Sequence, residues 1–135
     1  MKGRIRTTRT ILCGAVGLLF SVSAQADDLN GAWATDPSLC GKVFVTNTAS
    51  VSFSKASESY GSGFIIEDNL LRGRMLECTI QARKRDGNMI HLIAACSTDV
   101  ALSPMQFDLK IEGDNKVTRV FAGLPEMDVT YVRCR

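Results

Sequence analysis

The chain holds one histidine and one tryptophan, and it has neither a C-x-x-C pair nor a G-x-S-x-G turn. These absences narrow its chemistry. A lone His91 has no second imidazole with which to share a metal, and cysteines at 40, 78, 96 and 134 lack the close pairing of a zinc site. Without a nucleophile elbow, the many serines carry no hydrolase signature. Gly61-Ser62-Gly63 has no following helix of the kind a phosphate loop requires. No segment sustains an apolar spacing of three and four over ten residues, so no long helix is expected. No apolar run approaches the roughly 20 residues of a spanning helix. The residues therefore point to a protein that is not an enzyme, with no cofactor and no bound metal.

The segment 1–26 reads as an export signal. Lys2, Arg4, Arg6 and Arg9 form a basic head, Ile11 to Phe20 an apolar stretch, and Ala24-Gln25-Ala26 a cleavage site. Cys13 follows Ile11-Leu12 rather than the small residues of a lipid-attachment site. Removing 26 of the 135 residues leaves 109, the size of one domain, over residues 27–135. Four of the 16 basic residues leave with the signal, so 12 face 14 acidic ones and the net charge becomes −2. A mildly acidic domain gives no electrostatic case for nucleic acid or an anionic membrane. The cluster Arg83-Lys84-Arg85 reads as a solvated turn.

What the chain has in quantity is alternation. Leu76, Cys78, Ile80 and Ala82 share one parity, and Ile90, Leu92, Ala94 and Cys96 share another, on either side of Asp86-Gly87-Asn88. An Asp-Gly between alternating runs is a strong hairpin signal, because glycine accepts the positive φ of a tight turn. Met105, Phe107, Leu109 and Ile111 alternate with Gln106, Asp108, Lys110 and Glu112 beyond a corner at Leu102-Ser103-Pro104. Asp68-Asn69 predicts a further two-residue turn. Other short runs lie around Trp33, at Val43-Phe44-Val45, at Val51 to Ser54, from Lys116 to Phe121 and from Asp128 to Arg133. The segment 55–63, rich in serine and glycine, reads as a loop and a candidate for mobility. The fold class is all-β: an antiparallel meander of eight to ten short strands forming a small barrel or, as the alternative, a sandwich.

Four cysteines in an exported domain make two disulfides. If Arg85 pairs with Met89 across a three-residue loop, Cys78 faces Cys96 directly, which leaves Cys40 for Cys134. Equal 38-residue spacings from Cys40 to Cys78 and from Cys96 to Cys134 support a rival pairing in two halves. His91 lies on the outward parity of its strand and has no visible partner.

Gly31-x-Trp33 near the start and Tyr131-x-Arg133 at the end resemble the lipocalin and calycin pattern, in which a tryptophan of the first strand packs under a basic residue of the last. The chain is also similar to small uncharacterised secreted proteins of alphaproteobacteria that begin G-x-W-x-x-D-P-x-x-C, here Gly31, Trp33, Asp36, Pro37 and Cys40. It differs from avidin-like barrels, which ring their ligand with several tryptophans. The resemblance implies a barrel whose floor is closed by Trp33 and Arg133, and it names Trp33, Tyr131 and Arg133 as candidate ligand contacts. The expected function is that of a monomeric periplasmic or secreted binding protein, holding a small apolar ligand or acting as an inhibitor of an envelope protein. The loops 55–63 and 123–127 would face such a partner. The alternative is a structural or stress-related envelope protein with no ligand.

Overall fold

The computed structural model describes residues 28–135, so the export signal expected at 1–26 lies outside the described residues. Ten strands follow one another: β1 (Gly31–Ala34), β2 (Phe44–Thr46), β3 (Val51–Phe53), β4 (Gly63–Glu67), β5 (Leu70–Arg72), β6 (Glu77–Asp86), β7 (Met89–Ser97), β8 (Leu102–Ile111), β9 (Lys116–Val120) and β10 (Val129–Arg133). Eight close an antiparallel barrel in the order β1-β10-β9-β8-β7-β6-β5-β4, while β2 and β3 form a separate hairpin. From β4 to β10 the chain is a simple up-and-down meander, and β1 completes the ring between β4 and β10. Closure leaves no barrel strand with an edge unpaired along its whole length, which removes a common route to aggregation. No helix among the described residues is long and apolar enough to cross a membrane.

The central hairpin brings the cysteines together by a route the sequence hides. Its turn has two residues, Gly87 and Asn88, so Asp86 pairs with Met89 and Arg85 with Ile90 rather than with Met89. A bulge between Ile80 and Ala82 then inserts one residue into β6 and restores Ile80 opposite Ala94 and Cys78 opposite Cys96. The two offsets cancel at the cysteines but not between them. Beyond the bulge the parity of β6 reverses, so Ala82 is exposed opposite the outward Ile93, whereas alternation alone places it inside. The Cys78–Cys96 disulfide is buried in the barrel, and the Cys40–Cys134 disulfide joins the segment after β1 to the end of β10. The two-halves pairing does not occur.

Pro104 is not a corner. It lies within β8 opposite Ala95, because β9 reaches only Val120, opposite Asp108. From Leu102 to Phe107 one side of β8 has no strand beside it, so a missing N–H interrupts no ladder there.

The residues between β1 and β4 wrap the outside of the barrel. Asp36 caps this excursion by accepting from the Ser38 amide and hydroxyl at 2.9 and 2.7 Å, which leads into the short helix α1 (Cys40–Val43). Val43 and Phe44, with Val51, Phe53 and Tyr60 alongside, pack on Ala32, Ala34 and Ile65. Strands β1 and β4 are therefore buried on both faces, which explains why Ala32 to Ala34 and Phe64 to Ile66 are continuous apolar runs. The approach is close enough to specify glycine at 63. A Cβ there would sit 2.6 Å from the Trp33 carbonyl oxygen and 2.8 Å from the Phe44 ring. The segment 55–63 is held as well: it carries a 3-10 turn at Ser57–Ser59, Ser57 is buried, and Arg74 donates to the Ser57 Oγ at 3.1 Å and pairs with Glu58.

Candidate functional site

The barrel has two different ends. At the floor, Trp33 is buried to 1% exposure and donates its indole N–H to the Leu29 carbonyl at 2.9 Å. The Arg133 guanidinium lies over its ring, 4.3 Å from the centroid. Cation–π stacking of this kind adds to packing when the pair is shielded from water. The same guanidinium donates to three main-chain carbonyls: Asp28 at 2.6 Å, Asp114 at 3.0 Å, and Asn30. Gly31 allows this, since its φ of +127° suits glycine and an added Cβ would come within 3.3 Å of the Arg133 Nη1. A small cavity of about 290 Å³ lies here, lined by Trp33 and Arg133 with Asp28, Asp114 and Asn115 among others. With its fork committed to carbonyls, Arg133 fastens the chain entering β1 to the turn between β8 and β9.

The opposite end is open. A cavity of about 770 Å³ is lined by Phe64, Leu71, Leu76, Phe107, Leu109 and Tyr131, and its mouth by Glu58, Gly61 to Gly63, Arg74, Met75 and Arg119. Pockets of roughly 300–1,000 Å³ with apolar walls and few polar groups are typical of small-molecule sites. Tyr131 meets Phe64 edge-on at 4.9 Å, and Phe64 stacks on Trp33 at 6.1 Å, so an aromatic column runs from the cavity wall to the floor. Of the three residues named from the sequence, Tyr131 lines the large cavity, and Trp33 and Arg133 stand together beneath it. The tryptophan supports the wall through Phe64.

No family model, curated protein or solved structure matches this chain.

His91 has the partner that its sequence neighbours conceal. It faces outward on β7 directly opposite Asp108 of β8, with Nδ1 at 2.6 Å from the Asp108 Oδ1. Gln106 donates to the same oxygen at 2.8 Å. Neither cavity is lined by this pair. Partial burial pushes the Asp108 carboxyl up, but the hydrogen bonds from Gln106 and His91 outweigh it and hold the group below its ordinary value. The linkage sign follows: a carboxyl whose folded pKa is depressed stabilises the fold above its unfolded value near 4 and loses that contribution as pH falls through the folded one. Asp108→Asn is therefore expected to lower stability at pH 6 by less than about 1 kcal/mol, the range of ion pairs at a protein surface. It should cost still less at pH 2, measured by urea unfolding at both values; an equal loss at both would show that charge is not involved.

Alternation marks Phe107, Leu109 and Tyr131 as inward, but inward residues of a filled core and of a cavity wall look alike in sequence. Arg119 offered a sharper signal. It shares the parity of Val117 and Phe121, a charged residue on the inner face of a strand.

Proposed function

We propose that this domain is an exported binding protein that holds a small, largely apolar ligand inside its barrel. The observation that carries the reading is the open cavity of about 770 Å³ whose walls are Phe64, Leu71, Leu76, Phe107, Leu109 and Tyr131. A barrel of this size with a purely structural task has no reason to keep that volume unfilled, since packing it would add stability. The two disulfides suggest an oxidising, extracytoplasmic setting. With the signal read at 1–26, they support a periplasmic or secreted location. Titration with the neutral fluorophore N-phenyl-1-naphthylamine tests the reading. The wild-type protein should bind it with enhanced emission, and Leu76→Trp, which puts a large ring into the cavity from a half-buried position, should weaken binding by about tenfold or more. Absence of binding by the wild-type protein at tens of micromolar would sink the proposal in favour of a structural envelope protein.

A second reading is a protein partner seated on the rim, as an inhibitor would seat. It is favoured by the exposed apolar side chains of Met75, Val100, Leu102, Leu124 and Met127, all on connections or strand ends at the open end of the barrel.

A further inference from the structure

We propose that the ligand is an amphiphile with one anionic head group, and that Arg119 is the residue that reads the head. The inference rests on the pocket reading above and concerns the same cavity. Arg119 lies on β9 opposite the buried Leu109, and its guanidinium carbon sits over the rings of Phe107 and Phe121, 4.8 and 4.6 Å from their centroids. Other arginines of the domain hold an oxygen: Arg72 holds Glu67, Arg74 holds Glu58, Arg83 holds the Asp68 carbonyl, and Arg133 holds three carbonyls. Arg119 holds none. Among the described residues it has neither an acidic partner nor a hydrogen-bond acceptor, although it lines the cavity.

Around that mouth, Arg74 and Glu58 compensate each other, so the uncompensated charge facing the cavity is that of Arg119. Ring faces attract a guanidinium but accept none of its five N–H donors in the plane of the fork. The group is thus oriented by Phe107 and Phe121 and left with its strongest hydrogen bonds unmade. A carboxylate or phosphate arriving with its chain in the apolar cavity would complete them as charge-assisted, two-pronged bonds. A neutral head would gain less. A cationic head would be repelled.

The test is competition against bound N-phenyl-1-naphthylamine by dodecanoate, dodecanol and dodecyltrimethylammonium, all below their micellar concentrations. Wild-type protein should take dodecanoate about ten- to a hundredfold more tightly than dodecanol, as expected for a hydrogen bond to a charged group, and the cation least tightly. Arg119→Met should bring dodecanoate and dodecanol to equal affinity, both measured against that variant's own fluorophore affinity, and Arg119→Lys should keep part of the preference. Dodecyl phosphate in place of dodecanoate shows which oxyanion fits the fork better. If wild-type protein binds dodecanoate and dodecanol equally, or if the preference survives in Arg119→Met, the head-group assignment falls and the pocket reading stands. If neither the fluorophore nor any alkyl probe binds, both fall. Should Arg119→Met fail to fold, the wild-type comparison together with Arg119→Lys decides.

Discussion

Trp33→Ala lowers the free energy of unfolding by about 3–5 kcal/mol, the range found when a large buried aromatic is truncated. The expected loss lies toward the upper end, because three things go together. The void is enclosed, since Trp33 is 1% exposed. The Leu29 carbonyl loses its indole donor, and Phe64 and Arg133 each lose the ring against which they stack. Trp33→Phe separates these effects: it keeps a ring for Phe64 and Arg133, forfeits the N–H, and should cost only about 1–2 kcal/mol. Denaturant unfolding of both variants checks the order. Because Trp33 does not line the large cavity, Trp33→Phe should leave fluorophore affinity within about twofold. A loss of binding without a loss of stability would instead place the tryptophan among the ligand contacts.

The second large effect is expected from the disulfide between Cys40 and Cys134. The two residues are 94 apart in sequence, and closing a loop of about 100 residues removes roughly 4.7 kcal/mol of unfolded-state freedom in the chain-entropy account. The double variant Cys40→Ala, Cys134→Ala should therefore lose about 3–5 kcal/mol. Both cysteines are only partly buried, so the loss reads as a lost tether rather than a lost core contact. Hydrogen exchange gives the position of the effect: amides of α1, β2 and β3 should lose protection before those of β6 and β7, which pair along their whole length and keep their own bridge. An equilibrium loss below about 1 kcal/mol would show that packing on Ala32, Ala34 and Ile65 holds the excursion without the tether.

Particular residues show how far the sequence could be read. The strand pattern, the turn at Asp68-Asn69 and the class of fold follow from short-range rules, and Asp68 duly takes a positive φ of 53°. Cys78 and Cys96 face each other as the alternation predicts. The reasoning reaches that pair through a three-residue turn, whereas the protein uses a two-residue turn and a bulge at Gln81. Nothing local in Q-A-R-K-R announces the bulge, because the outer face tolerates either parity. Pro104 looks like a corner because the sequence does not say where the neighbouring β9 stops. His91 looks solitary because its carboxylate, Asp108, comes 17 residues later and meets it only through strand register. The site was half visible. Gly31, Trp33 and Arg133 declare a barrel floor, whereas the cavity is a property of what the inward side chains fail to fill, and no single position encodes a void. Arg119 stood on an inward parity in plain view; that no acid opposes it required the coordinates.

Strand β1 has a temporal consequence. It is hydrogen-bonded on one side to β4 and on the other to β10, the last strand of the barrel in sequence. A chain emerging from a ribosome or a translocation channel can form the β6–β7 and β7–β8 hairpins as soon as they appear, but its first strand waits about 100 residues for its second neighbour. Until β10 is made the cavity has no complete wall and the floor has no Arg133, so barrel, cavity and floor are completed together in one step.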